Sequence, residues 1–321
     1  FIAHFLSGKM KPLRIGSLRL KNPLILAPMV DVTDLPYRLI CRKSGASLAY
    51  TEMLYISAIL HENKKTKMLM KTIPSEKPIG IQITGNNAEE FKKVIPYLKP
   101  YSLVDINCGC PSSRITGSQA GSYLLNNPQK IGDIIRMLKK AGLTVTAKIR
   151  LGYKNNNVLQ VAKIVEKAGA DALTIHARMA YDGASIPADW SWIQKVKAMI
   201  SIPVIGNGDI STGKSAQEML KIADGAMIAR AAIGHPLIFT NILHYLKTGK
   251  EKPFNFKANL RIFQNYLKLA EKYSLIDIPR IKHLGSHFLR NIPNASSLRQ
   301  NLMSLNNYEE IKQFIHSLQS Y

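Results

Sequence analysis

Eight short apolar runs, separated by longer stretches, constrain the fold of this chain more than any other sequence feature. Each run holds four or five residues and is nearly continuous in apolar side chains, as expected of parallel strands that are buried on both faces. The eight predicted strands are 24–27, 48–51, 79–83, 103–107, 145–149, 172–176, 203–206 and 225–229.

Most of the intervening stretches have helical periodicity. The predicted helices are 88–98, 128–141, 158–168, 190–199 and 214–222. Repeated alternation of strand and helix predicts an α/β fold, and eight units predict a (β/α)8 TIM barrel. A doubly wound open sheet would have a similar pattern, but the count of eight favours the closed barrel.

Seven of the eight predicted strands end in or are followed by a polar residue, and Pro28-Met29 follow the first. One polar residue usually forms a turn, but so many in succession suggest a shared site, because the carboxyl ends of barrel strands meet at one face. Gln82 and Lys148 lie within apolar runs, where a buried amide or ammonium costs several kcal/mol unless something binds it. We therefore expect both side chains to face a ligand.

The last two units carry a glycine-containing segment, 207–209, and an arginine, Arg230, directly after their strands. Glycines let the backbone approach a phosphate, and the loops after strands seven and eight of such barrels commonly bind one. Strand-to-helix turns also use glycine without any ligand. The arginine in the expected position nevertheless predicts a phosphate site. Flavin mononucleotide (FMN) suits it, as do other phosphorylated ligands.

The three cysteines are Cys41, Cys108 and Cys110, an odd count without a disulfide framework. This pattern predicts a reducing compartment and hence a cytoplasmic protein. We expect no metal site, since no Cys/His pair has zinc-finger spacing. Cys110 follows the fourth strand on the predicted active-site face, whereas Cys108 has the pattern of a buried, unreactive thiol.

Forty-four Lys and Arg against 21 Asp and Glu give a formal charge of +23. Such an excess suits a polyanion, above all a nucleic acid, although a generally basic surface is the alternative. The opening apolar residues 1–6 are too few to span a bilayer, and no later segment suggests a membrane span. The sequence does not indicate an oligomeric state.

The pattern becomes purely helical past Pro253, with predicted helices at 257–273, 280–289, 295–305 and 308–318. We therefore predict two domains, a barrel at 10–248 and a small all-α bundle at 253–321. Five basic side chains lie on or beside the second tail helix, where spacings of three and four put several of them on one face. They are Arg280, Lys282, His283, His287 and Arg290. A solvated helix face would have the same pattern.

Seven segments, in order and spacing, resemble the tRNA-dihydrouridine synthases, specifically the bacterial and archaeal type with a helical domain after the barrel. The resemblance runs from about Met10 to the end of the chain. The matching segments are Leu26-Ala27-Pro28-Met29, Ile81-Gln82-Ile83, Asn107-Cys108-Gly109-Cys110-Pro111, Lys148-Ile149-Arg150-Leu151-Gly152, Thr174-Ile175-His176-Ala177-Arg178, Asn207-Gly208-Asp209-Ile210 and Ala229-Arg230-Ala231-Ala232.

The resemblance implies a role for individual residues. The implied flavin contacts are Pro28, Met29 and Val30 in the first loop, Gln82 and Lys148 at the ring, and Asn207, Gly208, Asp209, Ala229 and Arg230 at the phosphate, with His176 as a further flavin or substrate contact. Cys110 is the implied catalytic acid. The implied substrate contacts are Asn107, Arg178, Arg280, Lys282 and His283. Ala229 replaces a frequent glycine, which is tolerable where φ is negative.

The activity implied by the resemblance is reduction of a tRNA uridine to dihydrouridine, with FMN as cofactor and NADPH as reductant. Two rival interpretations are a small-molecule flavin barrel such as dihydroorotate dehydrogenase, and a non-enzymatic RNA-binding flavoprotein. The basic helical tail argues against the first. The preference for NADPH over NADH comes from the resemblance alone, because no dinucleotide fingerprint is present.

Overall fold

The computed structural model describes residues 12–290 and 292–318. The opening apolar residues 1–6 lie outside this part, as do the outermost residues of the two predicted domains. The described chain begins with a small antiparallel hairpin of two strands, β1 (Arg14–Ile15) and β2 (Leu18–Arg19).

Eight parallel strands form a closed barrel and confirm the predicted (β/α)8 architecture. They are β3 (Leu24–Leu26), β4 (Ala49–Tyr55), β5 (Ile79–Thr84), β6 (Leu103–Cys108), β7 (Val145–Arg150), β8 (Ala172–His176), β9 (Val204–Asn207) and β10 (Gly225–Ile228). The strands from β4 to β10 pair in chain order, and β10 then pairs with β3. A bridge between Ile25 and Leu48 closes the ring between β3 and the start of β4.

Ten helices surround or flank the barrel among the described residues. They are α1 (Leu35–Lys43), α2 (Ile56–Leu60), α3 (Lys64–Met70), α4 (Ala88–Leu98), α5 (Ser113–Gly117), α6 (Pro128–Lys140), α7 (Val158–Lys167), α8 (Ser191–Met199), α9 (Gly213–Ile222) and α10 (Ile238–Thr248). The five predicted helices correspond to α4, α6, α7, α8 and α9. Helix α1 begins where Asp34 accepts a hydrogen bond of 2.9 Å from the amide of Tyr37.

The hairpin closes the amino-terminal end of the barrel. Leu13, Ile15 and Leu20 are buried and pack into one apolar cluster with strand residues such as Ile25 and Leu103. This cluster fills the barrel interior at its amino-terminal end. The opposite end, where the strands finish, is therefore the open mouth.

Four helices follow the barrel, as predicted: α11 (Phe256–Lys272), α12 (Ile278–Phe288), α13 (Ala295–Ser304) and α14 (Tyr308–Ser317). Their core includes Phe263 stacked on Phe288, with ring centroids 4.6 Å apart. The division at 248–253 stays a prediction. Within the described ranges, no helix has the length and apolar character needed to cross a membrane.

The tail packs closely on the loop after β10. Asn259 donates a 2.7 Å hydrogen bond to the carbonyl of Gly234, which has φ +69°. A Cβ atom at Gly234 would lie only 2.4 Å from the carbonyl carbon of His287. Glycine is therefore needed there both for its backbone conformation and for the approach of α12.

Candidate active site

A cavity of about 640 Å³ opens at the mouth, among the loops that follow β7 to β10 and β3. It is lined by nine of the residues that the sequence analysis assigned to a site: Pro28, Lys148, His176, Arg178, Asn207, Gly208, Asp209, Ala229 and Arg230. The other predicted residues lie outside this lining. The strand ends therefore gather the expected polar groups on one side of the mouth.

The cavity lining is positively charged. Four basic side chains line it, Lys148, Arg150, Arg178 and Arg230, against the carboxylates of Asp182 and Asp209. Positive charge inside a partly enclosed cavity attracts anions, since the low-dielectric walls weaken solvent screening. The arrangement suits a phosphorylated ligand.

Arg178, Asp209 and Arg230 form what we call the mouth cluster. Arg178 Nη2 donates to both carboxylate oxygens of Asp209 at 2.8 Å, and Arg230 Nη2 lies 3.2 Å from Oδ1. Burial alone would raise the pKa of Asp209, but hydrogen bonding to Arg178 brings it below its usual value. The Arg178 side chain is 2% exposed and that of Arg230 is 56% exposed, so Arg230 is available to an incoming anion.

The backbone beside the mouth cluster is shaped by Gly208 and Ala229. Gly208 has φ +118°, and a Cβ atom there would lie 2.8 Å from that of Ala188. Trp190 Nε1 donates to the Gly208 carbonyl at 3.0 Å and holds this loop in place. Ala229 has φ −115°, so the negative φ that an alanine requires at this position is present.

Lys148 and His176 lie deeper in the cavity. Lys148 Nζ donates to Asn207 Oδ1 at 3.1 Å, and burial lowers the pKa of the lysine to about 8. Burial, with the charges of Lys148 and three arginines, lowers the pKa of His176 to about 2. His176 Nε2 lies 3.2 Å from Arg178 Nη1, which only donates. The imidazole is therefore neutral, with its proton on Nδ1.

A chain of hydrogen bonds positions the turn that carries Cys110. Asn107 Oδ1 accepts from the amide of Cys110 at 2.9 Å, and Asn107 Nδ2 donates to Gln82 Oε1 at 2.9 Å. Gln82 Nε2 donates to Asp105 Oδ2 at 2.7 Å, and Thr146 Oγ1 donates to Asp105 Oδ1 at 2.6 Å. Burial raises the pKa of Asp105 to about 6. The half-buried Cys110 thiol thus lies on a rigid turn beside the mouth.

The burial of Gln82 does not require a ligand, contrary to the argument from the sequence. Strand pairing sets Gln82 beside Asp105, and Asp105 beside Thr146, so polar groups on neighbouring strands satisfy one another. Asp105 and Thr146 also interrupt apolar runs, a signal that the sequence analysis missed. Gln82 and Asn107 support the cysteine turn and lie outside the cavity lining.

Arg150 lines the cavity, although no role was predicted for it from the sequence. Its Nε donates to the carbonyl of Gly109 at 3.0 Å, and its Nη1 donates to the carbonyl of Met179 at 2.7 Å. Arg150 therefore links the cysteine turn to the cavity wall. Its spacing of two from Lys148 on the same strand could have indicated this position.

The first loop contributes Pro28 to the lining, whereas Met29 is half-buried and Val30 is 55% exposed outside it. Glu52, which also contacts Arg280 of the helical tail, holds this loop in place. Glu52 Oε2 accepts from the amide of Asp31 at 2.8 Å, and Glu52 Oε1 accepts from Arg280 Nη1.

Arg280 is buried instead of lying on a solvated helix face, which argues against the predicted contact with substrate phosphate. Its side chain is 5% exposed and forms what we call the junction cluster with Glu52 and Asp34. The carboxylates of Glu52, Asp34 and the partly exposed Asp277 surround this guanidinium, so its charge is balanced within the protein. Burial raises the pKa of Asp34 to about 6, although Arg280 opposes this shift.

Lys282 and His283, two and three residues further along α12, lie at the surface. Lys282 Nζ donates to the carbonyl of Met303 at 2.8 Å, and the ring of His283 lies 5.0 Å from that of His287. Burial, with the nearby charges of Arg290 and His283, lowers the pKa of His287 to about 4. Among residues 12–290 and 292–318, no group of three or more acidic, His or Cys side chains is placed to hold a metal ion.

A positively charged cavity at the mouth of a (β/α)8 barrel, with a thiol on a fixed turn beside it, is the active-site arrangement of a barrel enzyme and is suited to an anion. The family model described as dihydrouridine synthase (Dus) matches residues 25–320. This chain belongs to the dihydrouridine synthase family.

Relatives in the family are similar over almost the whole chain. A "tRNA-dihydrouridine synthase B" of Pseudomonas syringae pv. tomato is 36% identical over 301 residues, covering 90% of this chain and 89% of the relative. A "probable tRNA-dihydrouridine synthase 1" of Synechocystis sp. is 35% identical over 320 residues, covering 95% and 88%.

Solved structures share the fold at low sequence identity. A variant of NCR from Zymomonas mobilis has a TM-score of 0.54 at 14% identity and covers 78% of this chain and 94% of its own. Morphinone reductase has a TM-score of 0.54 at 13% identity and covers 76% and 90%. These similarities concern the barrel fold alone.

Proposed function

We propose that this protein reduces the bond between carbons 5 and 6 of a uridine in tRNA, with FMN as cofactor, NADPH as reductant and Cys110 as proton donor. The observation that carries the proposal is the pairing of an anion-binding cavity with a fixed thiol. Arg150 joins the two, since it lines the cavity and also binds the carbonyl of Gly109.

The residues present fit FMN. The phosphate would be held by Arg230 and by the backbone around Gly208, where a side chain would collide with Ala188. Lys148 lies deeper and would bind the ring system near the oxygen and nitrogen atoms that gain negative charge on reduction. Reduced FMN, regenerated by NADPH, would supply the hydride that adds to carbon 6 of the uracil.

Cys110 would donate its thiol proton to carbon 5 of the uracil. A general acid must be held at a defined position, and the hydrogen bonds that the amides of Gly109 and Cys110 donate to Asn107 Oδ1 provide this. Gln82 and Asp105 act behind Asn107 as positioning residues. Cys108 has no such role, because it is fully buried and burial raises the pKa of its thiol.

The substrate class follows from geometry and charge. A base inside a folded RNA reaches the floor of a barrel mouth only when it is turned out of its stack. The net charge of +23 supplies cations to hold the flanking backbone, among them Lys282 and His283 on α12.

Nucleoside mass spectrometry of unmodified tRNA, incubated with the protein, FMN and NADPH, tests the proposal. Wild type should convert uridine to a product heavier by two hydrogen atoms. Cys110→Ala should bind FMN normally and form about 100-fold less product or lower, as expected for loss of a general acid.

Cys108→Ala is the matched control, since it removes a neighbouring thiol that is buried in the core. It should retain most of the product. Equal product from Cys110→Ala and wild type would exclude Cys110 as the proton donor. If no tRNA gained hydrogen while a free pyrimidine did, the small-molecule flavin barrel would be the better interpretation.

A further inference from the structure

Three tyrosines from three different loops meet at the rim of the mouth. Tyr123 lies in the 3-10 helix Gly121–Asn126, Tyr153 follows β7, and Tyr181 follows β8. The ring centroids of Tyr123 and Tyr153 are 5.4 Å apart at 64°, and those of Tyr153 and Tyr181 are 5.0 Å apart at 51°. Tyr181 is 67% exposed, so the cluster presents an aromatic face to solvent.

Backbone hydrogen bonds fix the loops that carry these rings. The amide of Ala180 donates to the carbonyl of Gly152 at 2.9 Å, which sets Tyr181 beside Tyr153. The amide of Ser122 donates to the carbonyl of Cys110 at 3.0 Å, which ties Tyr123 to the cysteine turn. The cluster is therefore built on the same framework as the candidate active site.

The tyrosine cluster is continuous with the cavity wall. Asp182 and Gly183, the two residues after Tyr181, line the cavity, and Arg150 donates to the carbonyl of Met179 just before it. A strand of RNA whose base occupied the cavity would therefore have its neighbouring nucleotides within reach of this rim.

The surroundings suit a nucleic acid better than an apolar partner. Lys154, Asn155 and Asn156 follow Tyr153 and are exposed, so the rings are bordered by polar and cationic groups. The rings of Tyr153 and Tyr181 pack against each other at 5.0 Å, and the interaction with Tyr153 raises the pKa of the Tyr181 hydroxyl. Exposed aromatic faces combined with basic side chains are typical of single-stranded nucleic-acid binding.

We infer that Tyr181, supported by Tyr153 and Tyr123, is a stacking site for an unpaired RNA base next to the nucleotide whose base enters the cavity. This inference rests on the proposed function for its substrate. It assigns the rim a separate task, which is to hold the flanking base while the target base is turned out of its stack.

Substitution of Tyr181 separates stacking from other roles. Tyr181→Ala removes the ring and should raise the KM for tRNA by roughly tenfold, within the range known for loss of one base–aromatic stack, with little change in kcat. Tyr181→Phe keeps the ring and should stay within about twofold of wild type. Tyr97→Ala, on α4 and partly exposed beside Glu62, is a matched control away from the mouth.

A direct test uses a short single-stranded RNA that carries 2-aminopurine beside a uridine, titrated with the FMN-loaded protein. Stacking on a tyrosine should quench the fluorescence with wild type, Tyr181→Phe and Tyr97→Ala, and much less with Tyr181→Ala. Equal quenching and equal RNA affinity for Tyr181→Ala and wild type would overturn the inference, as would absence of quenching with wild type.

The two proposals fail in different ways. A wild-type protein that quenches the probe but adds no hydrogen to any tRNA would refute the proposed reaction and leave the stacking site standing. A wild-type protein that forms dihydrouridine, with an unchanged KM for tRNA in Tyr181→Ala, would refute the stacking site alone.

Discussion

The junction cluster and the mouth cluster use the same side-chain types in opposite proportions. In the junction cluster one guanidinium, Arg280, lies between Glu52 and Asp34, and all three side chains are at most 8% exposed. In the mouth cluster two guanidinium groups share the single carboxylate of Asp209. The first cluster has no positive charge to spare, and the second has an unshared excess.

This difference separates structural charge from functional charge. In the junction cluster, a buried arginine surrounded by carboxylates holds the tail against the barrel, and its charge is neutralised within the protein. A partly exposed pair with excess positive charge gives little stability but can neutralise an anion. The number of arginines in a segment does not reveal which of the two roles a given arginine has.

Removal of Arg280 should have the largest effect on stability. Arg280→Met leaves two buried carboxylates without their cation, so we expect the free energy of unfolding to fall by about 3–5 kcal/mol. Urea denaturation followed by circular dichroism measures this. Arg261→Met, at an exposed position of α11, is the control and should stay within about 0.5 kcal/mol of wild type.

The double variant Arg280→Met with Glu52→Gln sharpens the result. It removes one of the stranded charges and should recover part of the lost stability, because the penalty arises mainly from unpaired buried charge. Stability of Arg280→Met equal to that of wild type would show that the junction cluster does not fasten the tail.

Removal of Arg230 should weaken ligand binding and leave stability almost unchanged, in contrast to removal of Arg280. Arg230→Met should leave the free energy of unfolding nearly unchanged, since the side chain is more than half exposed. It should weaken FMN binding by roughly 10- to 100-fold, the value of a hydrogen bond to a charged group. Titration of flavin fluorescence measures the affinity. Unchanged affinity would exclude Arg230 from the phosphate site.

The charge of Lys148 should make anion binding dependent on pH. Burial lowers its pKa from the ordinary 10.5 to about 8, so the side chain is cationic below that pH and neutral above it. FMN affinity should therefore decrease as the pH rises through 8. A ligand that raises this pKa by one unit, or about 1.4 kcal/mol, would lose about tenfold in affinity across the transition.

The same titration should change the stability of the protein in the opposite direction to its effect on FMN affinity. Between about pH 8 and 10.5 the unfolded lysine binds more protons than the folded one, so wild type should gain stability relative to Lys148→Met as the pH rises. In Lys148→Met, FMN affinity should no longer decrease as the pH rises through 8. Its persistence in that variant would assign the titration to another group.

Lys282 lies two residues from Arg280 on the same helix. Its substitution should have the smallest effect of the variants considered. Lys282→Glu should not lower stability measurably, because the side chain is only partly buried and its one hydrogen bond lies at the surface. It should weaken tRNA binding by a few-fold and reduce the slope of log affinity against log salt by about 1. Lys92→Glu, on the exposed face of α4, is the control with the same charge change. Equal salt slopes for both variants would remove Lys282 from the RNA-binding surface.

The barrel was predictable from the sequence because its evidence is local. Each strand is a short apolar run, and the tail helices follow from periodicity, so their bounds differ from the prediction by one or two residues at most positions. Strand β4 is the exception: its register shifts between Tyr50 and Met53, and it continues to Tyr55. Glu52, expected to follow the strand, therefore lies within it.

The site was predictable only where neighbouring strand ends bring residues together. Asn207, Asp209 and Arg230 meet because parallel strands end at one face. Arg280 and Glu52 are 228 positions apart, and no pattern within either segment reveals their contact. The protein partners of Gln82 were hidden for a related reason, since they are set by register across three strands.

The close approach of α12 to Gly234 has a consequence for dividing the chain. A fragment that ended at Thr248 would lose Arg280, Tyr266 and Asn259 together, and would expose the apolar surface and the carboxylates that these residues cover. The boundary between the two predicted domains is thus a change of architecture along the chain. We expect the barrel to fold as a stable unit only in the presence of its tail.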